Sequence, residues 1–85
     1  MIGMNVPVFT VEQKKDGMAK RIANCVSDKN RNIQSLKNIK VCLTIMEADK
    51  EDLYKDMKET VLTLLAERTA EVKARYEKNG WAFNF

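Results

Sequence analysis

The chain has 85 residues, 45% of them hydrophobic and 32% charged, a net charge of +3 and no histidine. This length fits one domain over residues 1–85 and argues against two, since folded domains rarely fall below about 50 residues. Without histidine there is no Ser-His or Cys-His nucleophile pair, two cysteines cannot form a four-thiolate zinc site, and glycines at 3, 17 and 80 make no phosphate loop. A non-enzymatic protein is therefore expected, with no metal and no cofactor.

No apolar run exceeds three residues, whereas a membrane span needs about 20. The first residues lack the charged and apolar regions of a secretory signal. A cytoplasmic protein without membrane contact is expected, with Cys25 and Cys42 as reduced thiols rather than a disulfide.

In chain order, residues 1–9 alternate Ile2, Met4, Val6 and Val8 with Gly3, Asn5 and Pro7. A period of two with an internal proline suits an extended arm or an edge strand. From Met18 to Asn79 the chain has neither glycine nor proline. Small β folds turn corners with those residues, so this stretch predicts helices.

Thr10 and Gln13 form the T-x-x-Q capping-box pattern. It predicts a first helix over 11–26 that buries Val11, Met18, Ile22, Cys25 and Val26. Gly17 weakens that helix by about 1 kcal/mol relative to alanine. Six polar residues over 27–32 then break the pattern. Ile33, Leu36, Ile39, Leu43 and Met46 recur at steps of three and four, which predicts a second helix over 32–47. The same segment also reads as a strand, because Ile39, Val41, Leu43 and Ile45 alternate with Lys40, Cys42, Thr44 and Met46. That alternative is an α+β fold with strands near 2–9 and 39–46.

A third, long C-terminal helix is predicted over about 50–78, with Asp49 as its cap and Asp52 in its first turn. Lys73, Arg75 and Lys78, followed by Asn79-Gly80, mark its end. Glu51/Lys55 and Glu71/Arg75 stand at i,i+4 spacing. Tyr54, Met57, Val61, Leu65, Val72 and Tyr76 form its apolar stripe, widened by Leu53 and Leu64. A strict heptad fails, because its register runs into Arg68, Glu71 and Arg75. Such a helix is about 43 Å long and overhangs a compact chain of this size, about 30 Å across. A homodimer is therefore expected, with Val72 and Tyr76 at the interface.

The expected fold is mainly α, three helices with an extended N-terminal arm (1–9) and an aromatic C-terminal tail (81–85). Trp81, Phe83 and Phe85 alternate in that tail. They either complete the core or anchor a macromolecular partner. The charge is lopsided: residues 1–46 hold eight Lys/Arg against three Asp/Glu, and residues 47–85 hold seven against nine. Glu47, Asp49, Glu51 and Asp52 lack calcium-loop spacing and read as a helix-capping junction.

By elimination the chain acts by binding. The leading expectation is an adaptor or stoichiometric inhibitor, antitoxin-like or of counter-defence type. It would use protein–protein contacts through Trp81, Phe83, Phe85, Tyr76 and Val72. The alternative is an RNA- or DNA-binding protein using Lys14, Lys15, Lys20, Arg21, Lys29, Arg31, Lys37 and Lys40. Residues 10–46 offer no aromatic ring to stack on a base.

Overall fold

The computed structural model describes residues 9–49 and 52–85. They form three helices, α1 (Val11–Ser27), α2 (Ile33–Ala48) and α3 (Lys55–Asn79). The fold is mainly α, and no strand occurs among the described residues. Residues 39–46 lie inside α2, so the α+β alternative is overturned there. The arm of residues 1–9 falls outside the described residues except for Phe9.

The starts of the first two helices are set by local chemistry. Thr10 Oγ1 accepts the Gln13 N–H at 3.2 Å, and Gln13 Oε1 accepts the Thr10 N–H at 2.9 Å. These two bonds are the expected capping box. A second box, unforeseen, opens α2: Asn32 Oδ1 accepts the Ser35 N–H at 2.8 Å and Ser35 Oγ accepts the Asn32 N–H at 3.3 Å. The third helix departs from expectation. Asp49 ends α2, and α3 starts at Lys55 with Tyr54 in the capping position and no side-chain cap. The reason is packing: Tyr54 is buried and Leu53 half-buried, so the turn before α3 is spent driving these two side chains into the core. Glu51, of the Glu51/Lys55 pair, lies outside the described residues.

At 25 residues, α3 is about 37 Å long rather than 43 Å. Its end is as expected. Gly80 is left-handed at φ 70°, a conformation that costs glycine no Cβ clash. Its N–H reaches the Glu77 carbonyl at 3.2 Å and the Trp81 N–H reaches that of Tyr76 at 2.9 Å. Together they make a Schellman motif, whose usual apolar contact is here between Trp81 and Tyr76.

One core joins the helices: Met18 from α1, Ile39, Cys42, Leu43 and Met46 from α2, Tyr54 before α3, and Val61 and Leu64 from α3. Leu36 and Val72, both fully buried, extend it toward the other end of the antiparallel α2–α3 pair. The radius of gyration is 16.2 Å, above the roughly 12 Å of a compact chain this long. Val11 and Val26, expected inside, are 51% and 52% exposed. The face of α1 that packs is the narrow one of Met18, Ile22 and Cys25. Val26 is turned about 100° from Cys25, and Val11 lies two turns before Met18. No helix is long and apolar enough to cross a membrane among the described residues.

Gly17 sits in the interior of α1 with φ outside the left-handed region, and a Cβ added there meets no atom within 4 Å. Gly17→Ala should therefore raise stability by about 0.5–1 kcal/mol. An unchanged or lower urea midpoint would contradict this.

Candidate functional site

The end of the molecule where α3 finishes gathers most of the long-range polar contacts and all of the tail. Residues 28–32 link α1 to α2, and their carbonyls need donors. Arg68 of α3 gives one to this link, Nη1 to the Asp28 carbonyl, and one to the last turn of α1, Nη2 to the Val26 carbonyl, each at 3.0 Å. Arg31 Nη1 adds bonds to the carbonyls of Asp28 at 2.9 Å and Asn30 at 3.1 Å, and its Nε pairs with the Glu71 carboxylate. Arg75 Nη1 donates to the Arg31 carbonyl at 3.1 Å. The last turn of α1 carries no basic residue of its own, so Arg68 also places a cation at the negative end of that helix dipole.

The expected Glu71/Arg75 pair is thus replaced. Each side chain reaches across to the loop, where a partner 40 or 44 residues away takes it. Arg68→Leu keeps the apolar stem and removes the guanidinium. It should cost about 1–2 kcal/mol and speed amide exchange over residues 26–32. Unaltered exchange there would show that the clamp holds nothing.

Tyr76 carries this architecture into the tail. Its hydroxyl accepts the Ile33 N–H at 3.2 Å, at the start of α2. Its ring meets Trp81 edge-on at 5.4 Å and Phe83 at 5.9 Å, and Phe83 meets Phe85 at 6.3 Å. The tail therefore folds back rather than projecting. It is only partly covered: Phe83 is half-buried, while Trp81 is 52% and Phe85 45% exposed. Arg75 lies 5.8 Å from the Trp81 ring centre, and Lys40 lies 5.4 Å over Phe85. Of the five residues expected to contact a partner, four form this patch. The fifth, Val72, is corrected: it is fully buried inside the chain and offers no surface, because α3 turns that side toward α2.

The basic residues do not share one face. Lys14 pairs with Asp49 at 3.8 Å and Lys20 with Asp16 at 3.2 Å. Arg31 is spent on the loop and Lys40 on Phe85. Lys15 is half-buried, while Arg21, Lys29 and Lys37 are exposed. On α1, Lys14 and Arg21 flank the packed side and Lys20 stands opposite, as 100° per residue requires.

An open groove of about 370 Å³ runs between α1 and α2, lined by Arg21, Asn24, Cys25, Asp28, Asn38 and Val41. Cys25 and Cys42 are both free thiols. Burial raises the Cys25 thiol above its ordinary value, the adjacent Cys42 and then Asp28 push the same way, and Arg21 opposes them.

Sequence reasoning missed Arg68 and the Arg31–Glu71 pair. The only signal was the failure of the heptad at Arg68, Glu71 and Arg75, the side chains that hold the loop. No family model, curated protein or solved structure matches this chain.

Proposed function

We propose that the protein is a non-enzymatic adaptor or stoichiometric inhibitor, antitoxin-like or of counter-defence type, that grips an acidic protein surface with its C-terminal aromatic patch. The observation that supports this is Trp81, half exposed yet fixed at both its backbone N–H and its ring by Tyr76. A side chain already held loses little freedom on binding. Tryptophan, tyrosine and arginine also dominate binding hot spots. Arg75 and Lys40 give the patch a positive rim, which favours a negatively charged partner.

A second reading, single-stranded RNA or DNA, is favoured by one contact. Lys40 over Phe85 brings an aromatic ring to the basic stretch 14–40, which has none of its own, and single-strand sites combine cations with stacking rings.

Trp81 is the only tryptophan, so its fluorescence reads the patch directly. It would be titrated at about 50 mM salt, where charge contacts are strong, with a glutamate-rich peptide and a single-stranded oligonucleotide. A response to the peptide supports the first reading, and a response to the oligonucleotide alone supports the second. Silence toward both removes the patch as a charged-partner site. Association of two copies and a cytoplasmic location belong to the same proposal. Native mass spectrometry tests the former, and a purely monomeric mass excludes it.

A further inference from the structure

We propose that Cys25 and Cys42 form an oxidisable dithiol that a small-molecule disulfide, entering the groove beside Arg21, converts into an intramolecular bond stapling α1 to α2. Three observations carry this. The two thiols come from different helices that pack on each other, with Cys25 against the core cluster to which Cys42 belongs. Cys25 lines the open groove, whereas Cys42 is 2% exposed. One sulfur therefore borders the open groove and the other is buried, near enough to hydrogen-bond with the first. The groove also offers a cation, Arg21, and the amides Asn24 and Asn38, groups suited to the carboxylates and peptide bonds of a glutathione-like disulfide.

The step balances. Cys25 loses its proton and its sulfur attacks one sulfur of the small disulfide, whose S–S bond breaks. One small thiol leaves with a proton, and a mixed disulfide remains on Cys25. Cys42 then loses its proton and attacks the Cys25 sulfur, and the second small thiol leaves with a proton. The protein dithiol is oxidised by two electrons and the small disulfide is reduced to two thiols. Burial, then the neighbouring Cys42, raises the Cys25 thiol above its ordinary value, and because thiolate is the attacking form this slows the first attack.

The test uses the whole chain incubated with oxidised glutathione and read by intact mass and by trypsin mapping without reduction. The wild type is expected to lose two hydrogens and both titratable thiols. A cross-linked pair of peptides, residues 22–29 and 41–50, should appear. Cys42→Ser should stop at a stable mixed disulfide on Cys25, and Cys25→Ser should stay largely unmodified. Retention of both thiols in the wild type overturns the proposal. So does a final product that is the mixed disulfide, or a disulfide between two chains. Because the wild type alone gives the decisive mass, the outcome does not depend on either variant folding.

Discussion

Leu36→Ala should lower the stability of the folded chain by about 2–5 kcal/mol, the usual cost of truncating a buried leucine. The upper part of that range is expected, because the cost depends on how far the site can collapse. Leu36 is 0% exposed, as is Val72, and the structure around them is pinned. Arg31, Arg68 and Arg75 hold the preceding loop, and Tyr76 is tied to Ile33 one turn away. A pinned surround leaves a cavity rather than closing it. A chain of this length has only about 4–13 kcal/mol of stability in total, so the variant approaches the edge of folding. The thermal midpoint should fall by roughly 4–8 °C for each kcal/mol lost. Leu62→Ala is the control. Leu62 is 48% exposed, and surface changes of this kind stay within about 0.5 kcal/mol. Equal losses at Leu36 and Leu62 would refute the placement of the core.

Trp81→Ala should weaken partner binding by about 2 kcal/mol or more, roughly thirtyfold in Kd, while helicity is retained. The separation of the two effects follows from the cap. Gly80 supplies the left-handed turn, and the residue after it gives only its backbone N–H to Tyr76, which alanine keeps. What is lost inside the chain is one edge-on ring contact, worth about 1 kcal/mol. The Arg75 guanidinium also loses the ring beneath it, and what is lost outside is the exposed half of the indole. Phe83→Ala should show the opposite balance, because Phe83 is half-buried between Tyr76 and Phe85. Circular dichroism with quantitative capture from lysate would read both quantities. A Trp81 variant that captures as well as the wild type would remove the tail as the anchor.

Much of the fold was legible because its determinants are local. The Thr10 and Gln13 box, the 27–32 break, the α2 periodicity and the Gly80 terminator each involve residues within a few positions of one another. The errors came where a distant neighbour overruled a local rule. Asp49 is a good helix cap by type, yet burial of Leu53 and Tyr54 moved the start of α3 to Lys55. Glu71 and Arg75 have good pair spacing, yet Arg31 and its carbonyl outbid that pairing. Val72 belongs to an apolar stripe, which says that it is covered but not by what. The candidate patch was half visible: alternation flagged Trp81, Phe83 and Phe85, but nothing local joined them to Lys40 on α2.

The sequence by itself determined the three helices and where most of them begin and end. Those properties rest on contacts between residues up to four apart, which periodicity and capping types encode directly. The tertiary structure decided which charges are structural and which are displayed. Arg68 and Arg75 are tied to carbonyls 40 and 44 residues away, Arg75 while staying exposed beside Trp81, and the tail aromatics fold back on Tyr76 with Lys40 above the last ring. Composition is blind to that division. It depends on which carbonyls are left without donors and which rings are left half covered once the helices have packed.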